Sequence, residues 1–312
     1  MHIVIIGVGG VGGYFGGKMA DSGQKVTLVA RGKHLNAIQN HGLKVKSISG
    51  NFITHPFLAT DDIRKVDKAD LVLICTKSWQ VKEVATLIRP ILKEHSVVIP
   101  LQNGANNAEK ICSVLDKKHV LGGLCKIYSK IEAPGIISHF GHPPEVIFGA
   151  LDMHCSQDVV ERIKKVKEIF DEAGFKGTIS KNITVDIWNK FMFIAVVSGL
   201  GGLTRATIGE MCKNEELYTM MEQSAHEIYK IGMARVVALE EDTVAKVMQF
   251  IRNQPYVSTA STQRDLMEGQ PSELDNFNGF IVREGKRLNV PTPVHAFIYA
   301  CLQPMEAKAR KK

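Results

Sequence analysis

The first half of the chain alternates between short apolar runs and longer stretches of mixed polarity. Apolar or β-branched runs of strand length predict β-strands, and they occur at 2–6, 25–29, 70–76, 96–101 and from 120 onward. The runs at 70–76 and 96–101 are almost continuously apolar, which is typical of parallel strands buried on both faces. Short strands with Gly and Pro punctuation are indicated within 130–150, and a helix within 156–174. The alternation predicts an α/β fold with a doubly wound parallel sheet.

The pattern changes near residue 182, beyond which helical periodicity replaces the β-branched runs. Candidate helices cover 184–200, 207–239, 241–252, 256–268, 273–289 and 293–309. We therefore predict two domains, an α/β domain over 1–181 and an all-α domain over 182–312.

A glycine-rich segment follows the first predicted strand directly. It consists of Gly7, Val8, Gly9, Gly10, Val11 and Gly12. In the pattern Gly-x-Gly-x-x-Gly after a strand, the first glycine permits a tight turn, the second lets the backbone approach a pyrophosphate, and the third lets the following helix pack closely. A predicted helix over 14–21 and the strand at 25–29 complete a βαβ unit. The segment predicts a Rossmann-type dinucleotide-binding domain, with a purely structural glycine turn as the alternative.

The end of the second predicted strand indicates which dinucleotide is bound. NAD-specific sites carry an Asp or Glu about 20 residues after the glycines, where it accepts hydrogen bonds from the ribose 2′-hydroxyl. This chain has Ala30, Arg31, Gly32 and Lys33 there. The guanidinium of Arg31, helped by Lys33, can pair with a 2′-phosphate that a carboxylate would repel. We predict NADP(H) as the cofactor; the alternative is that Arg31 is a solvated loop charge.

Composition and charge narrow the class of protein. The 312 residues include 39 Lys and Arg against 32 Asp and Glu, a net charge of +7. Part of the excess lies in Lys308, Arg310, Lys311 and Lys312, which we expect to form a frayed tail. No basic stripe interleaved with aromatic residues predicts a nucleic-acid partner. We find no signal peptide and no apolar run of the length that crosses a bilayer, so we expect no membrane association.

The cysteines and histidines indicate neither disulfides nor a metal site. The six cysteines, at 75, 112, 125, 155, 212 and 301, have no Cys-x-x-Cys spacing. We interpret them as the reduced thiols of a cytoplasmic protein. His139 and His142 lie in a Gly- and Pro-rich stretch without a nearby cysteine, and we interpret them as a strand-and-turn feature.

Polar residues follow two of the predicted buried strands. Lys77 comes after the strand at 70–76, and Asn103 comes after the strand at 96–101. Ligands of such sheets bind beyond the carboxyl ends of the strands, so both side chains are candidates for contacting the cofactor. The alternatives are a surface lysine at the start of a helix and a plain Asn-Gly turn.

Two further candidates lie in the predicted helical domain. Lys190 is flanked by bulky residues such as Trp188 and Phe191, so we expect it to be partly buried. Burial lowers the pKa of an ammonium toward the range useful for proton transfer; the alternative is a lysine whose stem packs while its charge stays in water. Glu273 belongs to a polar cluster over 272–279, which could also be only a helix N-terminus.

Taken together, five motifs in order resemble one family, the ketopantoate reductases (2-dehydropantoate 2-reductases), over essentially the whole chain. They are the glycine segment at 7–12, Lys-x-Trp-Gln at 77–80, Asn-Gly at 103–104, Trp-x-Lys at 188–190 and Glu-x-Asp-x-x-Asn-Gly at 273–279. The resemblance implies reduction of 2-dehydropantoate to pantoate with NADPH, on the route to pantothenate and coenzyme A.

The resemblance also implies roles for individual residues. Lys190 would protonate the C2 carbonyl oxygen of the substrate as hydride arrives, while Lys77 and Asn103 would contact cofactor and substrate. Glu273 would lie near the cofactor ribose and the catalytic lysine, and Ser261 would bind the substrate.

One departure from the family pattern concerns the substrate. Well-studied members carry asparagines four and eight residues after the lysine, on the same helical face, where this chain has Ile194 and Ser198. Ser198 is retained as a candidate substrate-binding residue, whereas the side chain of Ile194 cannot form a hydrogen bond. Sites that read a substrate hydroxyl through hydrogen bonds discriminate strongly, so the change could alter specificity.

The leading hypothesis is therefore an NADPH-dependent ketopantoate reductase that acts on a small 2-oxo acid as a monomer or homodimer. The first alternative is a reductase of the same fold for a different 2-oxo acid. A non-catalytic NADP sensor is disfavoured because Lys190, Asn103 and Glu273 are retained together. A histidine-dependent hydroxyacid dehydrogenase is disfavoured because the lysine helix contains no histidine.

Overall fold

The computed structural model describes residues 1–152 and 155–311. The chain divides into two compact units. The first, here called the α/β unit, combines Met1–Gln102 with Asn106–Ile183. The second, the helical unit, combines Asn103–Ala105 with Thr184–Lys312. Each unit has a hydrophobic core of its own.

Strands and helices alternate in the α/β unit. Its strands are β1 (His2–Ile6), β2 (Lys25–Val29), β3 (Leu43–Ser47), β4 (Phe52–Thr54), β5 (Leu58–Thr60), β6 (Ala69–Ile74), β7 (Leu92–Pro100), β8 (Leu121–Lys126), β9 (Ser129–Ala133), β10 (Ile136–His139), β11 (Glu145–Ala150) and β12 (Lys176–Ile179). Its helices are α1 (Gly10–Asp21), α2 (Gly32–His41), α3 (Val81–Ile88), α4 (Asn107–Cys112) and α5 (Gln157–Glu172).

A five-stranded parallel sheet forms the centre of this unit, in the order β5-β2-β1-β6-β7. All of β1 is buried, because its alternate side chains enter two different cores. Ile3 and Ile5 pack with α1, whereas Val4 and Ile6 pack with α3 on the other face. This confirms the predicted doubly wound parallel sheet. The carboxyl ends of its parallel strands meet at one edge, where ligands of such sheets bind.

Two smaller sheets complete the described part of the α/β unit, in the orders β4-β3-β10-β9 and β12-β11-β8. A parallel bridge between Val98 and Val120 joins β7 to the segment that enters β8. His139 lies in β10, where its ring contacts the Ser47 hydroxyl at 2.8 Å and the carbonyl of His142 at 3.0 Å. These histidines therefore belong to a strand and its turn.

The helical unit has no strand among its described residues. Its helices are α6 (Ile183–Thr204), α7 (Ile208–Lys213), α8 (Glu215–Ala234), α9 (Thr243–Arg252), α10 (Ser261–Met267), α11 (Phe280–Leu288) and α12 (Pro293–Ala309), with a π-helical turn at Asp275–Gly279. The prediction of an all-α second half is confirmed.

α6 is the central helix of this core. By length and composition alone it could cross a membrane, so the expectation that no run of this kind exists was wrong. More than half of its most apolar window, 56%, is buried inside the protein, as in the core helix of a globular domain. Its residues Phe191, Met192 and Ala195 are at most 1% exposed.

Several predicted helix boundaries were wrong because local capping overrides the periodicity. The helix predicted over 207–239 is broken at Asn214, which is extended and accepts a hydrogen bond from the N–H of Leu217 at 2.9 Å. An N-cap of this kind starts a new helix, α8. The predicted helix over 273–289 is a π turn followed by α11, and the one over 256–268 is helical only in α10.

The expected frayed tail was also wrong. Lys308 lies inside α12, and the guanidinium of Arg310 contacts the carboxylate of Glu306 at 2.7 Å. The chain end is held because Glu306 is buried one turn earlier. Lys312 lies outside the described residues.

Candidate active site

The glycine segment connects β1 to α1 with the geometry that a dinucleotide requires. Gly7 has φ +96°, in the region that favours glycine, and a Cβ there would lie 2.8 Å from the backbone nitrogen of Thr76. A Cβ at Gly12 would overlap the carbonyl oxygen of Gly7 and lie 2.9 Å from Cβ of Cys75. A Cβ at Gly9, by contrast, would meet no atom within 4 Å. Two glycines therefore permit close packing, and the third faces open space.

The start of α1 offers donors to an anion. Gly9 is the N-cap and has no side chain to satisfy the first backbone N–H groups, and the first turn contains no acidic residue. Such N–H groups and the positive end of the helix dipole attract phosphate. Val8 is 4% exposed and packs in the core, as Val11 does in part. The backbone of this segment thus fits a pyrophosphate, while its two valines anchor it.

Gly10 has a packing role that the sequence motif does not specify. A Cβ at Gly10 would overlap the carbonyl oxygen of Ser129 in β9. The first turn of α1 therefore packs tightly against the β4-β3-β10-β9 sheet. This contact fixes the direction in which the N–H groups of that turn point.

Arg31 lies at the carboxyl end of β2 and is the N-cap of α2. Its backbone is extended, and it makes no side-chain capping hydrogen bond. Arg31 and Lys33 are both exposed. Two cationic side chains at the start of a helix form a suitable environment for an additional phosphate.

Lys77 and Asn103 follow β6 and β7, as predicted. Lys77 is exposed, caps a short helical turn, and places its Nζ 5.9 Å from the ring centroid of Trp79. Asn103 is partly buried, and the next residue, Gly104, has φ +128°. Asn103 belongs to the helical unit, and Ala105 packs against the hydrophobic core of that unit.

Lys190 lies on α6 and is partly exposed, as predicted from its apolar neighbours. Its neighbour Phe191 is 1% exposed and packs edge-on against Phe277, with 6.1 Å between ring centroids. Phe277 lies in the π turn that follows Glu273. The aromatic contact therefore joins the lysine turn of α6 to the segment that carries the candidate carboxylate.

Glu273 is 6% exposed and immediately precedes this π turn. Its carbonyl oxygen accepts hydrogen bonds from the N–H groups of Asn276 and Phe277, each at 3.0 Å. The wider bond of the π turn runs from the N–H of Gly279 to the carbonyl of Leu274 at 3.1 Å. Single π turns are frequent at functional sites.

The candidate substrate-binding residues differ in accessibility. Ser198 is 1% exposed, and its hydroxyl has no hydrogen-bond partner among the described residues. Ser261 is exposed at the start of α10, whereas the adjacent Thr262 is buried and its hydroxyl is likewise without a partner in the described chain. Ile194 is partly buried against the helical core.

The structure also reveals polar residues around the π turn that the sequence analysis did not assign to the site. They are His295, Tyr299 and Glu306, together with Arg310, which was expected to lie in a frayed tail. The available signal was the helical spacing of His295, Tyr299 and Glu306 in the last predicted helix, which the interpretation of the basic end as a tail left unused.

Comparison with known proteins decides the family. The sequence matches the family described as ketopantoate reductase PanE/ApbA over residues 3–153, and the C-terminal domain of that family over residues 182–306. The chain belongs to the ketopantoate reductase family.

Individual relatives span the full length of the chain. It is 31% identical to the uncharacterized oxidoreductase YkpB of Bacillus subtilis, covering 99% of this chain and 100% of that protein. A PanE/ApbA family ketopantoate reductase from Ralstonia eutropha has 29% identity and a TM-score of 0.89, covering 99% and 100% of the two chains. A D-mandelate dehydrogenase solved with NADH and anilino(oxo)acetate shares the fold, with a TM-score of 0.89 at 23% identity over 99% of each chain.

Membership of the ketopantoate reductase family makes the chain an oxidoreductase with a nicotinamide cofactor and a small 2-oxo acid as substrate. The Gly7–Gly12 segment fits the pyrophosphate of such a cofactor, because it combines open space at Gly9 with the uncapped start of α1.

Proposed function

We propose that the protein reduces 2-dehydropantoate to pantoate with NADPH. The observation that carries this proposal is the placement of Lys190. It is the one cation in α6, a helix of 22 residues that otherwise builds the helical core, and it remains partly exposed. A partly exposed lysine in this helix offers the proton donor that carbonyl reduction requires.

When bound, the reduced nicotinamide supplies hydride to C2 of the substrate. Lys190 donates the proton, so the carbon–oxygen π bond is replaced by a C–H bond and an O–H bond. The ammonium also stabilises the negative charge that develops on the carbonyl oxygen. Glu273 is the second catalytic residue of the proposal. It is buried next to the π turn whose Phe277 packs against Phe191, the neighbour of Lys190, and a carboxylate beside a lysine favours the charged form of the lysine.

The binding residues of the proposal divide between cofactor and substrate. Gly7–Gly12 and Arg31 hold the cofactor, together with Lys77. Glu273 also belongs to the cofactor side, and Asn103 contacts both cofactor and substrate. Lys190 and Ser261 lie on the substrate side, where Ser198 offers a buried hydroxyl that lacks a partner within the described chain.

The preference for NADPH rests on Arg31. Its exposed guanidinium at the start of α2 suits a 2′-phosphate. We expect Arg31→Ala to shrink the ratio of kcat/KM for NADPH over NADH by about tenfold or more, since a charge-assisted pair contributes roughly 1.5–3 kcal/mol. The matched control is Arg89→Ala, which removes an exposed arginine elsewhere in the same unit. An unchanged ratio in Arg31→Ala would remove this residue from the proposal.

A second candidate function is favoured by Ile194 and Ser198. These side chains form fewer hydrogen bonds than the amides of well-studied family members, so the natural substrate could be a different 2-oxo acid without the hydroxyl of 2-dehydropantoate.

NADPH oxidation against a panel of 2-oxo acids separates the two candidates. We expect 2-dehydropantoate to be reduced with a higher kcat/KM than 2-oxoisovalerate, which lacks the hydroxyl. Lys190→Ala should lower kcat by a factor on the order of 10² to 10⁴, as for other lost general acids. Lys230→Ala, at an exposed position of α8, is the control. Equal turnover of the two acids would reject 2-dehydropantoate as the substrate, and full activity of Lys190→Ala would reject the proton donor.

We also propose a cytoplasmic location, which suits the six free thiols of the chain. The oligomeric state proposed is a monomer or homodimer, which size-exclusion chromatography with light scattering measures directly.

A further inference from the structure

The segment that carries Glu273 is held at its start by the last helix. The buried carboxylate of Glu306 accepts hydrogen bonds from the backbone N–H of Ser272 at 3.0 Å and from the Ser272 hydroxyl. That hydroxyl in turn accepts a hydrogen bond from the N–H of Leu274 at 3.2 Å. Ser272 is fully buried, and Glu306 is 6% exposed. The residues on both sides of Glu273 are thus fixed through one carboxylate.

Arg310 completes this arrangement. Its Nε lies 2.7 Å from Oε1 of Glu306, and its Nη2 donates to the carbonyl of Ser272 at 3.1 Å. Glu306 therefore has a cationic partner as well as hydrogen-bond donors, which offsets much of the cost of burying its charge. The last turn of α12 and the backbone before Glu273 form one polar cluster.

The same helix contacts the π turn at two further points. The hydroxyl of Tyr299 donates to Oδ1 of Asp275 at 2.8 Å, and Arg283 donates to the same oxygen at 2.8 Å. Burial raises the pKa of Asp275, but the bonds from Arg283 and Tyr299 outweigh it, and the pKa lies below its usual value. Nearer the start of α12, Nδ1 of His295 accepts a hydrogen bond from Nδ2 of Asn278 at 2.9 Å.

We propose that Glu306 is a positioning residue for Glu273. It acts through Ser272: its carboxylate sets the backbone at the start of the π turn and so the direction of the Glu273 side chain. The proposal rests on the proposed function, because it assigns a catalytic consequence to the place of Glu273. A displacement of about 1 Å at a catalytic group can reduce the rate by about 10²-fold.

Glu306→Gln is the informative change. In the wild type, Oε2 of Glu306 accepts from both Ser272 donors, while Oε1 faces Nε of Arg310. An amide has the same shape but only one acceptor oxygen, so a glutamine that keeps its oxygen toward Ser272 turns its NH2 group toward the guanidinium and loses the contact that holds it. We expect kcat to fall on the order of 10- to 100-fold, with a much smaller change in the KM for the 2-oxo acid. Ser272→Ala should have an effect of the same kind, and the double variant should be little worse than either single one, because both break the same link.

Glu145→Gln is the matched control. Glu145 is 7% exposed and accepts from the Thr178 hydroxyl at 2.7 Å and from Lys176 at 2.8 Å, but it lies in the α/β unit. The same substitution of a buried carboxylate there should lower the thermal unfolding temperature and leave kcat unchanged. This control distinguishes a general loss of stability from a displacement of Glu273.

Hydrogen exchange tests the positioning without turnover. Amides of 272–279 should exchange at least tenfold faster in Glu306→Gln and at the wild-type rate in Glu145→Gln. Wild-type exchange in this segment, or faster exchange with unchanged kcat, would overturn the inference. Additive effects in the double variant would also do so. If the wild type reduces no 2-oxo acid, the proposed function fails, and the exchange rates still decide whether Glu306 holds the segment.

Discussion

Gly9 and Gly12 are three positions apart in the glycine segment, and the structure predicts opposite consequences for the same substitution at each. A methyl group at Gly12 overlaps the carbonyl oxygen of Gly7, a backbone atom that cannot rotate away. A methyl group at Gly9 meets nothing within 4 Å. Gly12→Ala should therefore damage the fold, and Gly9→Ala should damage cofactor binding alone.

The magnitudes follow from these contacts. Overpacking of a close-packed core costs about 1–3 kcal/mol, and a backbone clash places Gly12→Ala at the upper end, about 3 kcal/mol or more. Gly9 has φ −78° and ψ −162°, which alanine adopts without strain. As an N-cap, alanine costs at most about 1 kcal/mol relative to glycine, and the lower entropy of the unfolded chain returns about 0.4–1 kcal/mol. The net change in stability for Gly9→Ala is close to zero.

Urea unfolding followed by circular dichroism measures the stability of each variant, and titration of NADPH fluorescence measures its affinity for the cofactor. We expect Gly9→Ala to unfold at the wild-type urea concentration and to bind NADPH at least about tenfold more weakly, a loss of about 1.4 kcal/mol. Wild-type affinity in Gly9→Ala would show that no pyrophosphate approaches Gly9. Wild-type stability in Gly12→Ala would refute the close contact between α1 and β1.

Three further predictions concern stability measured by urea unfolding. Val236 has φ +61° and is 92% exposed, so Val236→Gly should stabilise the protein by about 1 kcal/mol, whereas Val257→Gly, at another exposed valine, should not. Asn214→Ala should destabilise it by about 1 kcal/mol through loss of the α8 cap. Burial lowers the pKa of His295 from 6.5 to about 4, so below pH 6.5 the unfolded state binds a proton that the folded state does not. The free energy of unfolding should therefore fall by about 3 kcal/mol as the pH drops from 6.5 to 4. His295→Asn should flatten this fall, and an equal slope in the variant would refute the role of His295.

The βαβ start of the chain could be predicted from sequence because each of its features is local. Buried strands are marked by continuous apolar runs, and the turn after β1 is marked by glycines whose spacing follows from the geometry of the turn. The positions of Arg31, Lys77 and Asn103 at strand ends follow from the same logic, since the chain leaves each strand at the same edge of the sheet.

The surroundings of Glu273 could not be predicted in this way, because they depend on contacts between distant residues. Glu306 is 34 positions from Ser272, and His295 is 17 positions from Asn278. In the sequence, Glu306 and Arg310 look like ordinary charges of a basic end. Only the packing of α12 buries the carboxylate and gives the arginine a partner. Net charge describes the surface of a protein and carries no information about such pairs.

The break at Asn214 is an intermediate case, because its signal was local but was outweighed by periodicity. Asn followed directly by Glu215 and Glu216 is a typical helix start. The apolar spacing of the preceding turn continues smoothly into α8, so a reading by periodicity merges the two helices. The capping hydrogen bond decides between them, because the side-chain oxygen satisfies a backbone N–H that a continuous helix would have satisfied internally.

The arrangement of α6 separates the proposed chemistry from the proposed selectivity. Lys190, Ile194 and Ser198 are four residues apart and therefore share one face of the helix. Of these three residues, only Lys190 takes part in the proposed proton transfer. The next two turns present an apolar side chain and a buried hydroxyl that has no partner within the described residues. An unpaired buried hydroxyl costs about 1–3 kcal/mol, which a ligand that donates or accepts a hydrogen bond there would recover. We therefore expect substitutions at 194 and 198 to change which 2-oxo acid is preferred while leaving the pH dependence of proton transfer from Lys190 in place.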